Sequence, residues 1–237
     1  MFRLSQKGEQ IQQMFNTIAP TYDFLNHLLS FGIDKRWRTK TVALLDIPEQ
    51  GRVLDVATGT GDVALELAKQ LPTSVAITGA DFSAEMVARG EQKIAQSPYS
   101  DRINFTVAPC EDLPFPDNHF DGITIAFGIR NVVDRRLGLA ELWRVAKPEG
   151  QLLILEFSTP RSALFRGLYH LYFKRILPLI GGLFSQYDAY KYLPDSVLEF
   201  PTSEQFCETM RSVGFSDVRC IPLTFGIASI YCGRKRS

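Results

Sequence analysis

The sequence predicts an α/β fold: a mostly parallel seven-stranded sheet with one antiparallel strand, flanked by helices. Three observations predict it. Runs rich in Val, Ile and Phe alternate with helix-period patterns between residues 52 and 157, an order that requires right-handed crossovers between parallel strands. The first apolar run, Val53-Leu54-Asp55-Val56, leads into a glycine-bearing turn, Ala57-Thr58-Gly59-Thr60-Gly61-Asp62, that opens a helix. Near the C-terminus two strand-like runs follow one another with almost no connection, which only antiparallel neighbours allow.

Taken in order, residues 1–46 read as two or three helices, a helical N-terminal cap. Strands are expected at 52–57, 75–80, 103–108, 120–126 and 151–157, with helices near 61–71, 83–96 and 135–146. Ser83 and Asp134 stand where helix N-caps belong. Residues 158–200 form a helical insertion, and a helix over 203–213 stops at Gly214. The last strands are expected at 216–221 and 224–232, the final one running against the rest. The chain is thus one domain over 1–237, with its ligand-binding core at 47–157 and a C-terminal helix and hairpin at 201–237. Cap and insertion should lie over the carboxyl ends of the strands, where open α/β sheets bind ligands. Both are lid candidates.

Lys+Arg and Asp+Glu balance at 26 each, so no charge excess points to a polyanionic partner. Without a long basic run or zinc-finger spacing, the sequence argues against nucleic acid. Cys110, Cys207, Cys220 and Cys232 are scattered, with no Cys-x-x-Cys pair. They read as reduced thiols and not as a metal site. Residues 1–9 lack the apolar core of a signal peptide, so a cytoplasmic protein is expected.

The glycine turn suits a bound nucleoside. Gly59 and Gly61 let the backbone curl and approach a ligand. Asp81, ending the second apolar run, stands where an acid can hold a ribose diol. Asp55 and Asp62 place carboxylates beside the turn, which should repel a diphosphate and attract a cationic amine. S-adenosylmethionine, with an ammonium, a sulfonium and a ribose but no phosphate, meets those demands. The looser dinucleotide pattern, Gly59-x-Gly61-x-x-Ala64, keeps a nicotinamide-dependent quinone oxidoreductase open as the alternative. A mostly parallel sheet with one reversed strand matches the class I S-adenosylmethionine-dependent methyltransferase architecture.

With these elements placed, several stretches resemble the menaquinone/ubiquinone biosynthesis C-methyltransferase family. They are Phe15 to Asp23 with Asn26, Ser30-Phe31-Gly32 and Trp37-Arg38; the glycine loop with Asp81-Phe82-Ser83; Leu113 to Asp121; and Phe127 to Val132. Leu155-Glu156-Phe157-Ser158, Tyr192 to Ser196 and Leu223 to Ile227 complete them. The resemblance implies transfer of a methyl group from S-adenosylmethionine to a ring carbon of a lipophilic prenylated quinol, near the membrane that dissolves it. Demethylmenaquinol is the expected acceptor, with 2-methoxy-6-polyprenyl-1,4-benzoquinol as the alternative.

Carried over by position, the resemblance places Thr60 against the donor, Asp81 on the ribose and Phe82 along the adenine. Pro109 and Cys110 fall at the adenine edge, and Ala126 falls where some members carry serine. Pro109 has no N–H to offer, so the Cys110 backbone must serve. Cys110 reads as a small wall residue, since nothing beside it in sequence would make its thiol reactive.

Carbon methylation needs a nucleophilic ring carbon, alignment with the donor and help for a developing oxyanion. Arg130 and Asn131 follow the fourth strand at the catalytic edge. The Arg130 guanidinium would lower the phenol pKa or polarise a water; the alternative is a salt bridge that fixes the loop. Asn131 would orient the ring oxygen. Tyr22 is expected to cover the donor from the cap, and Asp23 either takes a proton or caps a helix. His27, His119 and His170 form no recognisable dyad. Residues 162–184 read as helix with Arg166, His170 and Lys174 on one polar stripe. That helix is either a peripheral membrane contact admitting the polyprenyl tail or a lid or homodimer face.

Overall fold

The computed structural model describes residues 5–19, 30, 32–159, 192 and 196–236. Helix α1 spans Gln6–Ile18 and α2 Ile33–Val42. Then come β1 Arg52–Val56, α3 Asp62–Gln70, β2 Ala76–Asp81, α4 Ala84–Ala95 and β3 Ile103–Val107. Strand β4 Phe120–Ala126, α5 Arg135–Val145 and β5 Ala146–Phe157 follow. The chain closes with α6 Ser203–Val213, β6 Phe215–Leu223 and β7 Ala228–Lys235.

The seven strands form one sheet in the order β3-β2-β1-β4-β5-β7-β6. All pairs from β3 to β5 are parallel, and β7 runs antiparallel to both β5 and β6. The reversed strand is the expected one. Val53, Leu54, Ile123, Ile125 and Ile154 are fully buried, because crossover helices cover the central strands from both sides. Ser83 caps α4 by accepting from Met86 N–H at 3.1 Å. Asp134 caps α5 by accepting from Leu137 N–H at 3.0 Å. Gly214 ends α6 at φ 121, as expected.

Two boundaries differ from expectation. Residues 146–150 continue from α5 directly into β5, with Ala146 paired to Phe120 across a bulge. Residues 224–227, expected as the start of the last strand, precede β7 instead: Thr224–Gly226 form a one-turn 3-10 segment in which Thr224 and Phe225 have φ 43 and 58. Tertiary bonds override local preference there. The Trp37 indole N–H donates to Thr224 Oγ1 at 2.9 Å, and the Ser158 hydroxyl donates to Gly226 O at 2.9 Å.

Switching of β1 between β2 on one side and β4 on the other opens a crevice at the carboxyl ends of these strands. Packing behind it is tight. A Cβ added to Gly61, Gly79 or Gly90 would stand 2.9 Å from the same Phe105 ring, so the turn before α3, strand β2 and the middle of α4 converge on one side chain. The insertion expected at 158–200 falls largely outside the described residues, as do its polar stripe and His170. His27 does too.

Candidate functional site

A cleft of about 640 Å³, counted out to solvent, lies at the β1–β4 switch point. Ala57 and Gly59 enter it from the end of β1, Asp81 and Phe82 from β2, and Ala108 to Glu111 from the segment after β3. Phe127, Gly128 and Asn131 to Val133 line the opposite side after β4. Gly8 and Phe15 of α1 form part of its wall. The cap therefore does reach the carboxyl ends of the strands. Gln12 Nε2 donates to Phe82 O, Ser83 Oγ donates to Asn16 Oδ1 at 2.6 Å, and the Phe15 and Phe82 rings meet edge to face.

Asp81 is the buried carboxylate on the wall formed by the ends of β1 and β2. It is only 4% exposed. Oδ2 accepts from Gly59 N–H at 2.8 Å and Oδ1 from Ser83 N–H at 2.9 Å. Gly59 meets this bond with φ 56, a left-handed conformation that glycine reaches without a side-chain clash. The carboxylate keeps acceptor capacity for a diol hydroxyl. Burial pushes the Asp81 carboxyl up to about 6, against the backbone N–H groups of Ser83, Gly59 and Phe82 that hold it down.

Among the described residues the charged side chains lining the cleft are Asp81 and Glu111, with neither lysine nor arginine. Glu111 Oε1 accepts from Val133 N–H at 3.0 Å, tying the wall after β3 to the wall after β4. The acidic environment inferred from the loop is present, but different residues supply it. Asp55 does not line the cleft: it is fully buried, accepting from the Thr58 and Thr124 hydroxyls at 2.6 and 2.7 Å. Burial pushes its carboxyl up to about 7. Asp62 is held by Arg38 at 3.1 Å and Lys93 at 2.7 Å. Its charge is neutralised by partners that local sequence could not reveal.

Other expected positions are likewise redistributed. Phe82, Pro109 and Cys110 line the cleft. Thr60 does not; its hydroxyl accepts from Lys93 Nζ at 3.1 Å. Gly61 is buried against Phe105 and Ala126 packs into the core beneath the cleft wall. Burial, with Glu111 and Glu141 close by, pushes the Cys110 thiol well above its ordinary value, so it is a wall residue.

Arg130 does not line the cleft either. Its guanidinium lies 2.9 Å from Glu156 Oε1 and also donates to Phe127 O, while its backbone N–H reaches Glu156 Oε2 at 3.2 Å. Both side chains are buried, at 7% and 0% exposure. These contacts are those of the loop-fixing salt bridge. Asn131 does line the cleft, and its Oδ1 accepts from the Tyr192 hydroxyl at 3.0 Å. Tyr22 and Asp23 lie outside the described residues. His119 immediately precedes β4 at the far end of the sheet, its backbone N–H on Val145 O.

Glu156, Glu111, Phe127 and Tyr192 were not singled out for the site. Phe127 carries the plainest structural mark: it lines the cleft at φ 57, held by its N–H on Leu155 O at 2.7 Å. Ala57 opposite has φ 52. A Cβ on Gly128 would meet Ala57 Cβ at 2.4 Å. The backbones after β1 and β4 are thus pressed together with non-glycine residues in a costly conformation, as is common at binding sites.

The chain is similar to known proteins along nearly its full length. The ubiE/COQ5 methyltransferase family matches residues 3–235. The ubiquinone/menaquinone biosynthesis C-methyltransferase UbiE of Geotalea daltonii is 63% identical over 235 residues, covering 99% of this chain and all of its own. The demethylmenaquinone methyltransferase of Deinococcus radiodurans is 47% identical over 231 residues, covering 97% and 94%. Among solved structures, a SAM-dependent methyltransferase from Aquifex aeolicus superposes with a TM-score of 0.59 at 19% identity, covering 83% of this chain and 88% of its own. That last likeness is one of fold.

Proposed function

The chain belongs to the ubiE/COQ5 methyltransferase family, and from that premise we propose that its cleft methylates demethylmenaquinol, giving menaquinol. It is an S-adenosylmethionine-dependent C-methyltransferase of quinone biosynthesis. The observation that carries the site assignment is the cleft itself. A buried carboxylate with acceptor capacity to spare stands on one wall and a side-chain amide on the other, with no cation for a diphosphate among the described lining residues. The residues fit the donor.

Asp81 would take the ribose diol, Phe82 the adenine face and the Cys110 N–H the adenine edge. When bound, S-adenosylmethionine supplies an electrophilic methyl group. The protein must make the acceptor carbon nucleophilic, and a ring carbon beside a phenolic oxygen becomes so as that oxygen loses its proton. Asn131 is the side chain placed to hold this oxygen, and a hydrogen bond to a developing oxyanion is worth most in a site without water. Phe15, Phe127, Val132 and Val133 furnish the apolar walls that exclude it. The ring C–H proton leaves after methylation and aromaticity returns. Arg130, locked on Glu156, holds the Phe127–Asn131 turn in shape.

The name borne by the Deinococcus radiodurans relative supports the naphthoquinol over the methoxybenzoquinol. Because such an acceptor dissolves in lipid, the protein works as a peripheral visitor to the inner face of the cytoplasmic membrane. Among the described residues no helix is long and apolar enough to cross it. The test is purified protein with labelled donor and chemically reduced acceptors of both head-group types, read by product mass. Label on the naphthoquinol, and none on its oxidised quinone, is expected. Transfer to the benzoquinol alone would overturn the substrate assignment.

A further inference from the structure

Tyr192 and Asn131, 61 positions apart, meet at the cleft through one hydrogen bond whose direction is informative. The phenol donates and Asn131 Oδ1 accepts, at 3.0 Å. An asparagine amide has an acceptor end and a donor end. With the oxygen engaged by Tyr192, the NH2 group is turned the other way, and no described acceptor takes it. The Asn131 backbone is also fixed, by its N–H on Gly128 O at 3.0 Å and by the neighbouring Arg130–Glu156 pair. The side-chain torsions remain, and the terminal amide torsion is soft and roughly two-fold.

The ring of Tyr192 is held separately. It packs against the cluster of Ile11, Phe15 and Met86, alongside Phe82, and Phe15, Met86 and Phe82 all line the donor side of the cleft. The residue thus leans on the donor wall and reaches the acceptor wall. Burial raises its phenol above the ordinary value, while Arg130 pulls the other way, so the hydroxyl keeps its proton and donates.

We propose that Tyr192 is a positioning residue: by taking the Asn131 oxygen it aims the Asn131 NH2 at the phenolic oxygen of the acceptor. This rests on the reading of Asn131 given above. Without the phenol, the amide can flip and present its oxygen to the developing oxyanion, which repels it.

The test compares Tyr192→Phe, Asn131→Ala and the double variant by kcat against pH, with donor affinity measured by calorimetry. Y192F keeps the ring and its packing, so donor affinity stays at the wild-type value. Its kcat at neutral pH falls about tenfold, the loss of one charge-assisted hydrogen bond. The acid limb of its pH profile moves to higher pH, because the acceptor oxygen gives up its proton less readily. The double variant is no slower than N131A, since Tyr192 acts only through Asn131. A wild-type profile for Y192F beside a crippled N131A would overturn the proposal alone, as would a double variant whose losses multiply. Wild-type kcat in N131A would overturn the Asn131 reading and the proposal with it.

Discussion

On the donor side of the cleft, the backbone does the positioning: Asp81 is held by the N–H groups of Gly59 and Ser83, residues near the ends of adjacent parallel strands. The acceptor side is held by side chains that meet from distant parts of the chain. Arg130 lies on Glu156, Asn131 under Tyr192, and Glu111 caps the turn at Val133. The first arrangement follows from the strand-turn-helix geometry and survives changes elsewhere. The second depends on each partner and so can be tuned or broken one residue at a time.

The largest effect should come from breaking the acceptor side at its buried pair. Glu156→Ala leaves the Arg130 charge buried without its carboxylate, and should cost about 3–5 kcal/mol in denaturant unfolding. Replacing both by apolar residues should cost far less, and equal losses would show that the pair is not what holds the turn. On the donor side, Asp81→Ala should weaken S-adenosylmethionine by about 100-fold in calorimetry, as expected for loss of a buried carboxylate making several hydrogen bonds. Affinity within threefold of wild type would remove Asp81 from the ribose site.

Acidity separates two aspartates that sequence places side by side in role. In the proposed ribose site Asp81 would act in its ionised form, and its carboxyl is held up at about 6. Donor affinity should therefore fall as pH drops below 6, approaching tenfold per unit. Asp55 works in the opposite sense on stability. Its folded value, about 7, lies above its ordinary 3.8, so the folded state binds the extra proton. That contribution is full below about pH 4 and is lost as pH rises through 7. Asp55→Asn should flatten the decline of unfolding free energy between pH 4 and 7 without moving donor affinity. The smallest effect belongs to Cys110→Ala, expected to leave kcat within about twofold because a thiol held protonated by burial has no nucleophilic role.

The contrast between the walls also explains what the sequence disclosed. The glycine turn, Asp81, the Ser83 and Asp134 caps and the reversed last strand depend on local geometry or on strand order, and each is visible in residue types and spacing. Asp55 and Asp62 were misplaced because their partners are remote: Thr124 is 69 positions from Asp55, and Lys93 is 31 from Asp62. Nothing local announces that a carboxylate will be neutralised from so far away. Phe127 resists reading for another reason. An aromatic residue favours extended backbone, and only the press of Gly128 against Ala57 accounts for its left-handed turn. Arg130 had both of its uses foreseen, but only the buried Glu156 distinguishes between them.

Phe105 has a consequence for how this chain can change over time. Gly61, Gly79 and Gly90 each lack a methyl group where that one ring stands. At Gly90, where no positive φ stands in the way and the next neighbour is 3.4 Å off, alanine becomes admissible once position 105 shrinks, whereas restoring the ring afterwards would be blocked by the new methyl; at Gly79 the Thr58 methyl, 3.0 Å away, would have to yield as well. Substitutions here are therefore accepted in one order and refused in the other, a ratchet in the ancestry of the fold rather than in its chemistry.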